Sequence, residues 1–256
     1  MVAPLVGTNE GSRELGLGAG GDRTMELDRQ AELTAMAMLA DLTAGGERFS
    51  LLSEEVGLRD YGAPFPLVLL DPVDGSLNAK RGLPIYACML TLLEGPTVGD
   101  ATVGHVRNLV TGTTWSCQRG GGARLNGLSI VPRLRPAGDQ TIELLGLEST
   151  GGSIALAAPL IAQAAKIRII GSMALSIAHT GAGELDLFCA PKPARLFDMT
   201  AGLLMVKELG GVATNLQGLS LADTPVTLEA RTTLLVSSRA ALVETAVARF
   251  ADIDGG

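Results

Sequence analysis

Carboxylates recur where apolar runs end in this 256-residue chain. The run PLVLL delivers Asp71, a proline turn follows, and Asp74 leads into Gly75 and Ser76. A strand ending in this way projects two carboxylates from one end. The backbone N–H groups of Gly75 and Ser76, if they open a helix, face the same space and suit a phosphate oxygen. RFSLLS closes on Glu54 and Glu55, and Asp198 heads the amphipathic run DMTAGLLMVKELGG. Each has an ordinary alternative: DPVDG as a plain turn with a capped helix start, the glutamates as a strand end, Asp198 as an N-cap. Together, Glu54, Asp71, Asp74 and Asp198 can form an oxygen-only cage, a donor set that suits hard Mg²⁺ better than softer or imidazole-seeking metals. That many converging anions need cations to be stable.

The elements that must position these groups read as an alternation of helices and strands. From Met25 to Leu42, apolar residues Leu27, Ala31, Ala35, Met38, Leu39 and Leu42 recur at helical spacing and predict an amphipathic helix. RFSLLSEE and FPLVLL predict strands, the second buried on both faces. IYACMLTLLEG and the Gly- and Thr-punctuated segment 101–127 predict antiparallel hairpins. Segment 134–148, broken by Pro136 and Gly138, is read as a bridge to a second half. There, a helix in IALAAPLIAQAAK, a strand in KIRIIG, a helix in SMALSIAHTGAG and a strand in ELDLFCA form an α/β layer. A helix ending at Gly210 and Gly211, two more strands and a last helix over 239–250 complete the chain.

Composition removes several function classes. The 27 acidic and 20 basic residues leave a net charge of -7, with no long basic run to make a nucleic-acid face. Aromatics are only 3%, too few for a base-stacking groove. Cys88, Cys117 and Cys189 form no CxxC pair, and His105 and His179 are too far apart for a zinc site. No apolar stretch reaches the length of a membrane span, and no signal core follows the start, so the expected location is cytoplasmic. A Walker-type site needs Gly-Lys, and that dipeptide never occurs. Gly16, Gly18 and Gly21 satisfy GxGxxG, but TNEGSREL is a poor strand before them, so they are read as a flexible surface loop.

DPVDGS resembles the DP-hydrophobic-DG-[ST] signature of the inositol monophosphatase and fructose-1,6-bisphosphatase superfamily of Mg²⁺-dependent, lithium-sensitive phosphatases. SEE at 53–55 resembles the upstream acidic pair of that family, and FDMTAGLLMVKELGG its C-terminal WDxAAGxxIxxEAGG element. TMELDRQAE, the hairpin ending GGGARLNG and IRIIGSMALSIAHTGAGELDLF extend the likeness over roughly 20–215, most closely to the archaeal-type branch with dual activity. Phe197 stands where the family usually has Trp, and Ser76 where it more often has Thr. APKPARLF lacks the acid with which many inositol phosphatases hold the sugar, which points away from strict inositol specificity. Only 27 residues precede Asp28, which raises the expectation of a start upstream of Met1.

The resemblance implies a layered αβαβα sandwich, an α/β (α+β) fold with two sheets and helices between and outside them. Its N-terminal α+β half, 1–135, would carry most metal ligands, and its C-terminal α/β half, 136–256, would carry Asp198 and substrate contacts. It implies two Mg²⁺, with a third, weaker one in reserve: Glu54, Asp71 and the Val73 carbonyl on the first, and Asp71, Asp74 and Asp198 on the second. Ser76 and Asp28, assisted by Glu54, would position the attacking water, with Glu55 a lesser contributor. Asp74, Gly75, Ser76, Gly171, Ser172 and Met173 would meet the substrate, with Arg168, Lys192 and Arg195 as the cations available for a second phosphate. The implied activity is hydrolysis of small sugar or cyclitol phosphates, such as inositol 1-phosphate and fructose 1,6-bisphosphate, by a homodimer without nucleic-acid or membrane partners. The alternatives are a 3′-phosphoadenosine nucleotide or histidinol-phosphate phosphatase of the same fold, or a non-catalytic regulatory member.

Overall fold

The computed structural model describes residues 3–21, 23–132 and 139–254. The expected boundary at 135/136, with its breakers Pro136 and Gly138, lies outside the described residues. A small hairpin of β1 (Glu14–Leu17) and β2 (Arg23–Met25) precedes the long helix α1 (Glu26–Ala44). Then come β3 (Ser50–Ser53), β4 (Gly57–Asp60), β5 (Leu67–Asp74), the short helix α2 (Ser76–Lys80) and β6 (Ala87–Leu93). The hairpin series continues through β7 (Ala101–Asn108), β8 (Thr114–Gln118), β9 (Gly122–Leu125) and β10 (Leu128–Ser129). After the undescribed stretch follow β11 (Ile142–Leu147), α3 (Ala158–Ile161), β12 (Ala164–Arg168), α4 (Met173–Gly181) and β13 (Leu187–Arg195). The chain closes with α5 (Thr200–Glu208), β14 (Val212–Thr214), β15 (Arg231–Ser237) and α6 (Ala240–Asp254).

Two sheets organise these elements. The first has the order β10-β9-β8-β7-β6-β5-β3-β4 and is antiparallel except where β3 runs parallel to β5. The second has the order β12-β11-β13-β15-β14; its β11 pairs parallel with both neighbours, whereas β15 pairs antiparallel with β13 and β14. Side-chain alternation on β5 shows how the layers arise. Val68 and Leu70 face outward into a cluster with Leu39 of α1, and Leu67 and Leu69 face inward, into the cluster that holds Ala174, Leu175 and Leu204 of α4 and α5. The opposite sides of those two helices, through Ile177, Leu203 and Val206, pack on Phe188, Leu234 and Val236 of the second sheet. Leu187, Cys189 and Leu235 point the other way, onto Leu242, Val243 and Ala246 of α6. The result is the expected αβαβα order. Each such leucine, fully buried, contributes about 1.5–3 kcal/mol of transfer free energy.

Three local expectations are corrected. In α1, Met38 and Leu42 are exposed, and the buried side of the helix carries Leu27, Asp28, Glu32 and Leu39. Asp28, which the resemblance assigns to the site, and Glu32 lie on this buried side, where the strands of the first sheet end in other acids. The helix expected over 154–166 is only a 3₁₀ turn, Ile154–Ala157, and the single turn α3. Its remainder is taken by β12, because the parallel ladder with β11 claims the backbone of Ala164 through Arg168. Finally, the glycine-rich segment is not a loose loop. Gly16 belongs to β1, and the N–H groups of Ala19 and Gly20 donate to the carbonyls of Glu55 and Glu54 at 3.1 and 2.8 Å. No strand-turn-helix stands there, so no dinucleotide loop forms.

Candidate metal and phosphate site

The strand β5 is buried along its whole length and carries Asp71 and Asp74 at its C-terminal end, within the strand and not in a turn beyond it. Its pairing with β6 shifts register between Asp71 and Asp74, which lets both carboxylates leave the ladder on the same side of the fold. Neither serves as the cap of α2, whose N-terminal residue is Gly75, with no side-chain cap. Gly75 is required by the backbone: its φ is 92°, and a Cβ there would lie 3.0 Å from the Gly171 carbonyl oxygen. This close approach ties the segment 74–76 at the end of β5 to the entry of α4.

Asp74 is held by that entry. Its Oδ1 accepts from the Met173 N–H at 3.1 Å, its Oδ2 from the Ala174 N–H at 2.8 Å, and Ser172 Oγ donates to Oδ2 as well. The N-terminal end of α4 therefore fixes a carboxylate from 98 to 100 residues earlier, with the favourable sign of the helix dipole. Burial raises the pKa of Asp74 to about 6, against the lowering effect of these donors. Asp198 lies in a 3₁₀ turn, Phe197–Met199, just before α5, and does not cap it. Its Oδ2 accepts from Arg195 Nε at 3.0 Å, and its Oδ1 is buried without a hydrogen-bond partner. Arg195 also pairs with Glu54 at the end of β3.

Glu54, Asp71 and Asp198 each bring one carboxylate oxygen within 4.8 Å of the others. At that separation two like charges repel by about 3 kcal/mol at an effective dielectric of about 20. The consequences are visible in proton affinity. Burial, then the Glu54, Asp198 and Asp74 charges, push Asp71 well above the ordinary carboxylate range. Burial pushes Asp198 up to about 7, with Arg195 opposing and Glu54 and Asp74 adding to the rise. Asp28, on α1, has its Oδ2 held by the Met25 N–H at 3.0 Å and its Oδ1 buried without a partner; burial and the two glutamates raise it to about 7. A metal-free cluster in this state holds protons that a hard cation would replace. The all-oxygen donor set and the unpartnered oxygens of Asp198 and Asp28 fit such a cation.

Asp28, Glu54, Glu55, Asp71, Val73, Asp74, Gly75, Ser76 and Arg195 line one cavity of about 110 Å³. An adjoining space of about 230 Å³ shares Asp74 and Arg195 with it and adds Asp198, Gly171 and Met173. The sequence-predicted residues thus converge, with three departures. Arg168 is exposed at the end of β12 and its guanidinium donates to the Ile167 carbonyl; it lines neither space. Lys192 stands out, exposed, where the β13–β15 pairing skips between Ala190 and Ala194. Ser172 is 1% exposed, and its hydroxyl is committed to Asp74. Two acids at the site were not singled out. Glu148 directly follows the apolar strand β11 and lines the larger space; the same rule that found Asp71 could have found it. Glu32 accepts from Ser53 Oγ at 2.7 Å with its other oxygen buried and unpartnered.

Comparison with known proteins agrees with this geometry. A profile of the inositol monophosphatase family matches residues 9–253. A fructose-1,6-bisphosphatase/inositol-1-monophosphatase from Methanothermobacter thermautotrophicus is 31% identical over 95% of this chain and 89% of its own length. An inositol-1-monophosphatase from Mesorhizobium japonicum is 30% identical, over 77% of this chain and 74% of its own. Among solved structures, an inositol monophosphatase-fructose 1,6 bisphosphatase superposes with a TM-score of 0.82 at 22% identity, covering 96% of this chain and 92% of that one, a likeness of fold. The acids at the ends of β3 and β5 and ahead of α5 thus sit in a match that runs from residue 9 to residue 253, and the chain belongs to the inositol monophosphatase family.

Proposed function

We propose that this protein is a Mg²⁺-dependent phosphomonoesterase that hydrolyses small sugar or cyclitol phosphates, with inositol 1-phosphate and fructose 1,6-bisphosphate as its substrates. The observation that carries this is the convergence of Glu54, Asp71 and Asp198 within 4.8 Å, drawn from three distant parts of the chain. The names of the relatives above support the reaction class. Glu54, Asp71, the Val73 carbonyl, Asp74 and Asp198 would hold two Mg²⁺, which supply Lewis-acid stabilisation of the phosphoryl and leaving oxygens when bound. The halves 1–135 and 136–256 would then meet at the site, since Asp198 and the entry of α4 come from the second.

The protein groups have distinct tasks in this account. Asp28 lines the cavity and is anchored through Oδ2 by the Met25 N–H, which leaves the unpartnered Oδ1 to accept a proton from water. Ser76, on the same cavity wall, orients that water. The water oxygen bonds to phosphorus as the ester P–O bond breaks, one water proton passes to Asp28 Oδ1, and the alcohol leaves after taking a proton from solvent. Glu54 holds Arg195 on the cavity wall, where the guanidinium meets phosphate oxygens. No helix among the described residues is long and apolar enough to cross a membrane; a cytoplasmic homodimer is part of the proposal. Phosphate release is to be measured from inositol 1-phosphate, fructose 1,6-bisphosphate, 3′-phosphoadenosine 5′-phosphate and histidinol phosphate, with Mg²⁺ and with chelator. Mg²⁺-dependent release from the first two is expected; release only from the nucleotide or from histidinol phosphate would overturn the substrate.

A further inference from the structure

The larger of the two joined spaces has a wall that the reaction itself does not use. Glu148 follows β11, and its backbone N–H donates to the Cys189 carbonyl at 3.0 Å, which pins it beside β13. Its side chain lines the space of about 230 Å³ together with Asp74, Asp198 and Arg195. One of its carboxylate oxygens, Oε2, is buried and has no hydrogen-bond partner. A buried acceptor in this state calls for a partner from outside the protein, a water, an ion or a ligand group, and among the described residues Glu148 is the one such acid on this wall outside the metal set. The surroundings define that ligand. The space is bounded by the carboxylates of Glu148, Asp74 and Asp198 and by one guanidinium, Arg195, which already pairs with Glu54 and Asp198. With Asp74 and Asp198 taken up by Mg²⁺ on the reading above, Glu148 is the acid left to meet the alcohol, and its unpartnered oxygen is satisfied by a hydroxyl donor and not by an apolar ring.

We propose that Glu148 is the specificity residue for the alcohol portion of the substrate: it accepts hydrogen bonds from hydroxyls on the carbons next to the phosphate ester. The favoured substrates are phosphates of polyhydroxylated rings or chains in which those neighbouring hydroxyls are free and uncharged. This rests on the phosphatase reading above, but adds a residue and a preference to it. Glu148 does not touch the phosphate, so it acts on the choice of alcohol and not on the hydrolytic step common to all esters.

The test compares inositol 1-phosphate with p-nitrophenyl phosphate, whose aryl group offers no hydroxyl, in the Mg²⁺-loaded wild type and in Glu148→Gln and Glu148→Ala. A hydrogen bond to a charged acceptor corresponds to roughly 10- to 100-fold in rate or affinity. Both variants are expected to lose about that factor in kcat/KM for inositol 1-phosphate, mainly through KM, with kcat/KM for p-nitrophenyl phosphate changed by less than about twofold. Equal losses on both substrates would mean that Glu148 only supports the fold, and no loss on either would mean that it faces no substrate; each overturns the proposal. If the wild type hydrolyses neither ester with Mg²⁺, the phosphatase reading itself fails, a result distinct from both. Thermal melting of the variants without substrate separates a folding defect from a change in selectivity.

Discussion

Replacing Asp198 by Asn is expected to stabilise the metal-free protein at alkaline pH while removing its activity. Asp198 is buried, faces Asp71 and Glu54, and has one oxygen with no partner. Its pKa rises from 3.8 to about 7, a difference worth about 4 kcal/mol. A carboxylate with a raised folded-state pKa favours the folded protein below its unfolded value near 4 and loses that contribution as pH climbs through about 7. Asp71 and Asp74 take up protons over an overlapping range, so about half the relief, about 2 kcal/mol, should survive substitution. For a chain of this size that is about 4–8 °C in Tm. Calorimetric melts of wild type and Asp198→Asn in chelator at pH 8 should show this gain, melts at pH 5 should show less than half of it, and Mg²⁺ at pH 8 should raise the wild type more than the variant. A variant less stable than wild type by the same margin at both pH values would refute the argument that the cluster is electrostatically strained.

The other predictions concern positioning. Ser172→Ala removes one donor to Asp74, and should lower kcat/KM about 10- to 100-fold with little change in fold, read by steady-state assay and circular dichroism. Gly75→Ala forces a Cβ to within 3.0 Å of the Gly171 carbonyl at a left-handed backbone position, and should cost about 1–2 kcal/mol in denaturant unfolding and most of the activity. Arg168→Ala and Lys192→Ala should each leave kcat/KM for a monophosphate within about twofold of wild type, because neither side chain lines the site.

Much of this site was legible because its chemistry uses local syntax. An apolar strand running into acids announces Asp71, Asp74 and Glu54 without any tertiary information, and the Asp198 helix start is equally local. The layered fold was implied by the family resemblance, and the apolar run of β5, expected to be buried on both faces, agrees with it. What resisted reading depends on contacts across the chain. The exposure of Met38 and Leu42 on α1 departs from its apolar periodicity, because Asp28 and Glu32 share its buried side with Leu27 and Leu39. The pairing of β11 with β12 cut short an alanine-rich helix, a tertiary override of propensity. The N–H groups of Ala19 and Gly20 tie the glycine-rich segment, read as a flexible surface loop, to the carbonyls of Glu55 and Glu54. Arg168 and Lys192 were placed near the site by the resemblance, and both are exposed, with Arg168 turned onto the Ile167 carbonyl.

The central claim is that acids from both sheets make one metal-dependent phosphate site, and Asp71, at its centre, tests it most directly. Phosphate release from inositol 1-phosphate is to be measured for wild type and Asp71→Asn across a Mg²⁺ titration, with folding checked by circular dichroism. The account predicts Mg²⁺-dependent release by the wild type and a loss of at least about 100-fold in a folded Asp71→Asn. Release by the wild type that persists in chelator, or a folded variant that keeps most of its Mg²⁺-dependent activity, would contradict it.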